Sequence, residues 1–263
     1  MIATQRMEQE KILEGLAYAE QNYCSDDETH LRYDKQLLKE NFDLNGKKVL
    51  DFGCGMGSMM LWYRANWDCE VHGIDIDKNH IQIANKILEK FTMTGISIEL
   101  KNILLNPLDD KYDFISMNDV VEHIQYPFLE NIFPQLEKAL NKNGKIFISY
   151  PPWQGPFASH VDHAVGFSWC QVLPDKLLLK LIERNNQTLV GEIEHDLVDV
   201  YLGLNKITHR KLVKLINNTT NLKVSLRKNH CMLNKIKPFK NMNFSWFPFN
   251  VLITKEFLVL EHK

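Results

Sequence analysis

The sequence predicts an α/β fold built on a doubly wound, mostly parallel sheet of seven strands. Five apolar segments with strand character, at about residues 47–52, 69–74, 96–101, 112–117 and 144–150, alternate with helical segments near 57–66, 78–92 and 127–141. Because helices that connect successive strands make those strands parallel, the alternation indicates a sheet covered by helices on both faces. Two later segments, 222–230 and 250–261, are predicted as closing antiparallel strands.

The chain is predicted to divide into four parts: an N-terminal helical cap (1–44), an α/β core (45–151), an insertion (152–203) and the C-terminal part of the core (204–263). Within the cap, Asp26, Asp27 and Thr29 are candidate helix caps between segments 6–22 and 29–41. The insertion begins at a Pro-Pro-Trp-Gln-Gly-Pro run and is too long for a simple connection. It is therefore predicted to be a lid or substrate-binding segment, with a helix at Asp175 to Arg184.

A turn with glycine at every second position follows the first predicted strand. Gly53, Gly55 and Gly57 give backbone freedom there, and the helix that follows would direct free N–H groups at a ligand. The third glycine is one place too early for the dinucleotide pattern G-x-G-x-x-G. Asp51, just before the turn, would repel a pyrophosphate and attract an ammonium group. The turn therefore favours a nucleoside that carries an amino acid over a dinucleotide.

A second acidic residue ends the next predicted strand. Asp75 follows Asp51 by 24 positions, and a doubly wound sheet places it at the carboxyl edge beside the glycine turn. A carboxylate at that position can accept both ribose hydroxyls. Asp77 is interpreted as the N-cap of the helix that begins at Lys78.

Four segments resemble, in order and spacing, the successive motifs of class I S-adenosylmethionine-dependent methyltransferases. They are VLDFGCGMG at 49–57, GIDID at 73–77, DFISMNDVVEHI at 113–124 and NGKIFISYP at 143–151. The match is similar to the branch that contains ubiquinone-pathway O-methyltransferases and many sugar and natural-product methylases. The resemblance implies the Rossmann-like methyltransferase fold, S-adenosylmethionine as cofactor and S-adenosylhomocysteine as its product.

The resemblance also implies a set of cofactor contacts. Asp51, Gly53 and Gly55 match the positions that hold the methionyl portion, with Cys54 packed behind the cofactor. The remaining implied contacts are Asp75 at the ribose, Ile76 at the adenine face, Asn102 and Ile103 at the adenine edge, Asn118 and Val120 at the methionine end, and Tyr23 and Arg32 closing from upstream. Asn102 replaces the usual aspartate, and an amide can make the same hydrogen bond. An ordinary surface role for Arg32 is equally compatible with the sequence.

Histidines are the candidate catalytic residues. If the acceptor is an alcohol, a base must remove its proton, and imidazole suits that task near neutral pH. His160 and His163 follow the fifth predicted strand and bracket Asp162, which could orient an imidazole. His123, in Val-Glu-His-Ile, is a further candidate, although a structural role at a helix start is the alternative. The His-x-Asp-His cluster could also suit a divalent ion, but only one acid is close, so no metal site is predicted.

Charge is divided unevenly along the chain. Residues 1–150 have a balance of −8 and residues 151–263 a balance of +6, and no acidic residue lies between Asp199 and Glu256 among eleven Lys and Arg. This split indicates either a solvated basic face or attraction of an anionic small-molecule acceptor. The net charge of −2 disfavours a nucleic-acid substrate.

The remaining features favour a cytoplasmic enzyme. We find neither a signal peptide nor a membrane span in the sequence, and five scattered cysteines suit a reducing compartment. The predicted function is O-methylation of a sugar, nucleotide-linked sugar or phosphate-type intermediate, for example in surface-polysaccharide biosynthesis. The alternatives are N-methylation of a small amine, methylation of RNA, and a binding module without catalysis. Two carboxylates together with the glycine turn argue against the last.

Overall fold

The computed structural model describes residues 2–27, 29–184, 197–240 and 242–263, with side chains omitted for residues 2–8 and 10. Within these residues the strands are β1 (Lys48–Phe52), β2 (Glu70–Asp75), β3 (Ile96–Leu100), β4 (Tyr112–Asn118), β5 (Leu140–Tyr150), β6 (Leu222–Cys231) and β7 (Ile253–His262). They form one sheet in the order β3-β2-β1-β4-β5-β7-β6. β1 pairs in parallel with β2 and β4, β2 pairs in parallel with β3, and β6 and β7 are antiparallel. The predicted fold class is confirmed.

Helices follow β1, β2 and β4 as predicted, whereas a loop without a helix connects β3 to β4. The helices are α1 (Ile2–Cys24), α2 (Arg32–Asn41), α3 (Ser58–Asn66), α4 (Lys78–Phe91), α5 (Tyr126–Ala139), α6 (Asp162–Val165), α7 (Asp175–Arg184), α8 (Leu197–Gly203) and α9 (His209–Thr219). Short 3-10 turns lie at Val121–His123, Cys170–Val172, Met232–Lys235, Lys237–Phe239 and Phe249–Leu252. The predicted helix at 175–184 within the insertion is present, while residues 185–196 of that insertion lie outside the described part.

The chain forms two compact units. Of the described residues, the first comprises 2–118 and 138–146. In this unit, α4 packs against the sheet through an apolar stripe. Ile83, Ala84 and Ile87, at helical spacing, are buried there. Ile83 and Ile87 share a core cluster with Met56 of the glycine turn and with Leu61 of α3. Each such side chain contributes about 1.5–3 kcal/mol when fully buried, so this packing fixes the position of the turn.

The second unit comprises, of the described residues, 119–137, 147–184 and 197–263 except 241. α9 buries the stripe Leu212, Leu215 and Ile216. The segment after β5 has a core cluster of its own, formed by Val161, Ala164, Cys170, Leu178, Ile182, Leu197 and Tyr201. The described part of the insertion is therefore packed, and α6, α7 and α8 share one apolar core.

The predicted helix caps ahead of α2 are wrong. The N-cap residue is Leu31, and it makes no side-chain cap hydrogen bond. Asp26 instead accepts hydrogen bonds from Trp62 Nε1 (2.9 Å) and Lys39 Nζ (2.7 Å). A charge-assisted bond to lysine is stronger than a neutral cap, and such a distant partner cannot be read from local sequence. The α5–β5 boundary also differs from the prediction, because the strand begins at Leu140 immediately after the helix.

No helix among the residues described combines the length and apolar character needed to cross a membrane. All five cysteines are free thiols, and four of them, all except Cys24, are buried.

Candidate active site

The glycine turn connects β1 to α3 at the carboxyl edge of the sheet. The Gly53 and Cys54 amides donate to the Ile74 carbonyl at 2.8 and 3.0 Å, which ties the turn to β2. Gly55 has φ +52°, and the position that a Cβ would occupy has no neighbour within 4 Å. Gly57, at φ +85°, is the N-cap of α3. The turn thus presents bare main chain and open space beside a helix N-terminus, where a ligand can approach.

Asp75 braces this turn with both carboxylate oxygens. Its Oδ2 accepts the Gly55 amide at 2.8 Å, and its Oδ1 accepts the Asp77 amide at 2.8 Å. Asp77 in turn caps α4 through Asn79 N (2.7 Å) and His80 N (3.3 Å), which confirms the predicted cap. A carboxylate has about four lone-pair sites, so Asp75 can hold the turn and still accept hydroxyl groups of a ligand.

Asp51 is a buried carboxylate at the end of β1. It is 2% exposed and accepts a hydrogen bond from Ser116 Oγ at 2.8 Å. Burial raises its pKa to about 7, with the charge of Asp75 acting in the same direction and the hydrogen bonds from Ser116 and Asn118 opposing it. An ionised carboxylate in such a place is costly unless a cation lies beside it. Asp51 therefore suits a ligand with an ammonium group.

Asn118 supplies a further acceptor at the end of β4. Its Nδ2 donates to the hydroxyl of the buried Tyr63 at 3.3 Å. Its Oδ1 is buried and accepts no hydrogen bond from the described residues. Because a buried polar atom without a partner costs roughly 1–3 kcal/mol, this oxygen favours a ligand that donates to it. The residues present therefore fit the amino end of S-adenosylmethionine.

The other predicted cofactor residues lie in the first unit, except Val120. Ile76 is 74% exposed directly after β2, and Asn102 is exposed with its Oδ1 accepting the Leu104 amide at 3.0 Å. Ile103 is buried and Val120 half-buried. Burial raises the pKa of Cys54 well above its usual range, so its thiol stays neutral and suits packing.

Two upstream residues contact other parts of the first unit. Tyr23 packs edge-to-face on Phe91 of α4, with ring centroids 4.8 Å apart. Arg32 is exposed, lies 3.5 Å from an Asp27 carboxylate oxygen and stacks over the Tyr33 ring at 5.6 Å. Neither contact engages the glycine turn directly, so the cofactor role of these two residues stays a prediction.

A second polar cluster lies in the second unit. Glu122 and His123 occupy the 3-10 turn after β4, and His160 lies in the loop after β5. Ligand atoms of all three side chains lie within 4.8 Å of one another, so the cluster could also hold a metal ion. The two imidazole rings are 5.0 Å apart, edge to face, and Glu122 is 3% exposed. Sequence reasoning identified both histidines separately but missed Glu122, although it directly precedes His123.

Asn205 fixes the turn that carries Glu122 and His123. Its backbone N–H donates to the Glu122 carbonyl at 2.9 Å. Its side-chain Nδ2 donates to the carbonyls of Val121 and Ile124, both at 2.6 Å. Nothing in the sequence pointed to this asparagine. Three bonds from one residue leave the turn little freedom, which is the preorganisation that a functional site needs.

The environment of His123 keeps its imidazole neutral. Although the residue has accessible surface, protein surrounds the ring closely enough that burial lowers its pKa, and the charge of Asp119 opposes this effect. Asp119 itself forms an ion pair with Lys255, with 2.7 Å between Oδ2 and Nζ, which limits the effect of its charge on the His123 pKa. A neutral imidazole can accept a proton, so His123 has the chemistry of a base, and His160 places a second imidazole beside it.

His163 does not belong to this cluster among the described contacts. It is exposed on α6, whereas His160 is half-buried in a left-handed backbone conformation with φ +57°. Burial raises the pKa of Asp162, and the nearby charge of His163 lowers it. Glu122 is thus a carboxylate that lies within 4.8 Å of His160, and Asp162 lies close enough to His163 to feel its charge.

Comparisons with known proteins agree with this geometry. A family model described as "Methyltransferase domain" matches residues 25–189. Ubiquinone biosynthesis O-methyltransferase of Pasteurella multocida is 32% identical over 120 residues, which are 40% of this chain and 47% of that protein. Phosphoethanolamine N-methyltransferase 2 of Caenorhabditis elegans is 29% identical over 121 residues, 44% of this chain and 27% of that protein. The chain therefore spans less than half the length of these curated relatives.

A solved structure shows the same fold over most of the chain. Geranyl diphosphate C-methyltransferase from Streptomyces coelicolor, in complex with Mg²⁺, geranyl diphosphate and S-adenosyl-L-homocysteine, has a TM-score of 0.57 at 12% identity. The alignment covers 88% of this chain and 79% of that one. The glycine turn, the two carboxylates and the family match lead to one identification: this chain belongs to the methyltransferase domain family.

Proposed function

We propose that the protein transfers the methyl group of S-adenosylmethionine to an oxygen atom of a small, negatively charged metabolite. A sugar, a nucleotide-linked sugar or a phosphate-type intermediate, for example in surface-polysaccharide biosynthesis, fits this description. The observation that carries the proposal is the convergence of Glu122, His123 and His160 within 4.8 Å. The methyl on a sulfonium is already electrophilic, so the protein's task is to align the acceptor and take its proton.

The cofactor residues are assigned by their chemistry. Asp51 and the free Oδ1 of Asn118 receive the methionyl ammonium, because one is a buried carboxylate and the other a buried acceptor. Asp75 accepts the ribose hydroxyls while it braces Gly55. The rest of the proposed contact set is Gly53, Cys54, Ile76, Asn102, Ile103, Val120, Tyr23 and Arg32.

The acceptor's proton is taken by an imidazole of the cluster. His160 and His123 are the proposed bases, and the buried carboxylate of Glu122 stabilises the imidazolium that forms. The His123 turn begins only three residues after Asn118, so β4 leads straight into it. His163 is the exposed alternative, with Asp162 beside it.

Charge supports an anionic acceptor. The segment between Asp199 and Glu256 contains eleven Lys and Arg and no acid. Such a field raises the local concentration of anions. The solved methyltransferase from Streptomyces coelicolor binds a diphosphate-bearing acceptor, which is consistent with this expectation but concerns that protein.

The five free thiols support the predicted cytoplasmic setting.

The relative that methylates phosphoethanolamine favours a second candidate, transfer to the nitrogen of a small amine. The two candidates differ in their need for a base, because an amine is nucleophilic once neutral whereas an alcohol must lose its proton during attack. A mass-spectrometric screen of alcohol and amine acceptors with labelled cofactor separates them. Methylated amines with no methylated alcohols would reject the oxygen proposal.

The roles of the histidines are tested by three single variants. Replacing His160 or His123 by alanine should lower turnover roughly 10²–10⁴-fold if that residue is the base, with cofactor affinity nearly unchanged. His163→Ala tests the exposed alternative: if His160 or His123 is the base, removing this imidazole three residues from His160 should leave turnover nearly unchanged. Glu122→Gln keeps the side chain's shape but removes its negative charge. It should lower turnover, because the imidazolium that forms on the base is then less stable.

Two outcomes would contradict the base assignment. Near-normal turnover in both the His160 and His123 variants would make the cluster structural. Loss of turnover after treatment with a chelator, restored by one divalent ion, would assign the cluster to metal binding in place of proton transfer.

A further inference from the structure

The loop between β6 and β7 exposes large apolar side chains. Ile236 is 50% exposed, Met242 48%, Trp246 60% and Phe247 79%. These four residues, here named the apolar tip, lie within twelve consecutive positions. Exposed apolar groups in such concentration mark an interaction surface. Nothing in the proposed methyl transfer uses them.

The loop holds the apolar tip in place through its own hydrogen bonds. Asn234 Oδ1 accepts the Cys231 amide at 2.7 Å, and Asn234 Nδ2 donates to the carbonyls of Phe239 (2.7 Å) and Met242 (2.9 Å). A second asparagine, Asn243, accepts the Asn229 amide at 2.9 Å and donates to the Arg227 carbonyl at 3.1 Å. The loop is therefore tied both to itself and to β6.

The aromatic residues of the loop divide into an inner and an outer set. Phe244 is 4% exposed and packs against Phe239 and Phe249, with ring centroids at 6.0 and 5.3 Å. Trp246 meets Phe249 edge to face at 4.8 Å, yet more than half of its surface stays exposed. Trp246 thus packs on a small aromatic core while most of its surface stays exposed, so its exposure belongs to the folded loop.

Basic side chains share the loop with the apolar tip. Lys235, Lys237 and Lys240 are exposed in the same loop. No acidic residue occurs from 200 to 255, so every Asp, Glu, Lys or Arg position in the loop itself is basic. Exposed tryptophan and phenylalanine beside lysines are the combination that adsorbs to an anionic bilayer, where rings enter the interface and lysines meet lipid phosphates.

We propose that the β6–β7 loop docks this protein on anionic lipid surfaces, with Trp246 and Phe247 inserted at the headgroup level. Charge complementarity selects this occupant, because the exposed lysines beside the apolar tip can meet phosphates at any position of an anionic bilayer. The docking is peripheral, and the apolar tip takes no part in the proposed methyl transfer.

The test is co-sedimentation of the full chain with vesicles, without cofactor. Vesicles of phosphatidylcholine containing one third phosphatidylglycerol should bind the protein, and pure phosphatidylcholine should bind it far less. Tryptophan emission should be quenched by lipids brominated near the headgroup. Added salt should release the protein, because the lysine contribution is screened.

Two variants of the loop should weaken binding for separate reasons. Trp246→Ser with Phe247→Ser should lower partitioning at least roughly tenfold, since two large apolar groups no longer enter the interface. Its control is Val172→Ser with Leu177→Ser, which removes two exposed apolar side chains (76% and 47%) elsewhere in the same unit and should leave binding unchanged.

The charge contribution is tested in the same way. Changing Lys235, Lys237 and Lys240 to glutamine should lower partitioning by roughly fivefold per lysine. The control changes Lys142, Lys176 and Lys180 to glutamine; they are exposed and carry the same charge, but lie outside the loop. The proposal is overturned if anionic vesicles fail to bind the wild-type chain, or if both loop variants bind like wild type. It is also overturned if the tip variant abolishes a dimer in solution, which would assign the tip to self-association.

Discussion

Replacing Asp51 by asparagine removes a buried charge that lowers the folding stability of the cofactor-free protein but is proposed to strengthen cofactor binding. The carboxylate is 2% exposed, and its pKa is raised to about 7 against a usual value of 3.8. Without a cationic ligand, ionisation of Asp51 therefore opposes folding. We expect Asp51→Asn to stabilise the cofactor-free protein and to weaken binding of S-adenosylmethionine, because the ammonium group loses its counter-charge.

The size of this effect follows from the two pKa values. The native state holds the proton more tightly than the unfolded chain, so the destabilisation is absent below the unfolded pKa, grows as pH rises, and levels off above pH 7. One pKa unit corresponds to about 1.36 kcal/mol. Between pH 5 and pH 8 the stability advantage of the asparagine variant should therefore grow by on the order of 2–3 kcal/mol. Any effect of the new amide on stability that does not depend on pH cancels, because only the change in the stability difference between pH 5 and pH 8 is compared.

The assay is urea unfolding of the cofactor-free wild type and variant at pH 5 and pH 8. Asp113→Asn is the matched control, because Asp113 is a half-buried carboxylate that already accepts hydrogen bonds from Lys48 N (3.0 Å) and Asn141 Nδ2 (2.8 Å). Calorimetry in buffers of different ionisation enthalpy should also show proton release when the cofactor binds the wild type near pH 7. An advantage of Asp51→Asn that does not change with pH, or that shrinks as pH rises, would refute the reasoning.

Three further predictions concern affinity, pH and salt. Asp75→Ala should weaken cofactor binding by roughly 1–3 kcal/mol in calorimetry, since both the Gly55 brace and the ribose acceptor are lost; unchanged affinity would contradict it. Because burial lowers the pKa of His123, turnover that depends on this residue should stay constant through neutral pH and fall only below the usual histidine range; a fall that begins above pH 7 would exclude it as the base. The apparent KM for the acceptor should rise with salt while cofactor affinity changes less, owing to the basic stretch from Lys206 to Lys240, and a salt-insensitive KM would reject an anionic acceptor.

Local sequence determined the fold class and the glycine turn, and the resemblance of four motifs to a known family implied the cofactor. Alternating strands and helices, glycines at 53, 55 and 57, and Asp77 as a cap are all encoded by residues close together in the chain. Such features depend on backbone propensity and periodicity, which neighbouring residues fix. For the same reason, the predicted bounds of α7 coincide with those of the structure.

Only the tertiary structure showed how these parts act on one another. Glu122 and His160 are far apart in the chain. They come close together only when the segment after β5 is folded and its core cluster is packed. The same is true of Asn205, which fixes the 121–124 turn. The sequence likewise could not show that Phe244 is an inner ring and Trp246 an outer one, since the two differ only in what packs around them. Burial and long-range contact are properties of packing, and packing depends on the whole folded chain rather than on any local pattern.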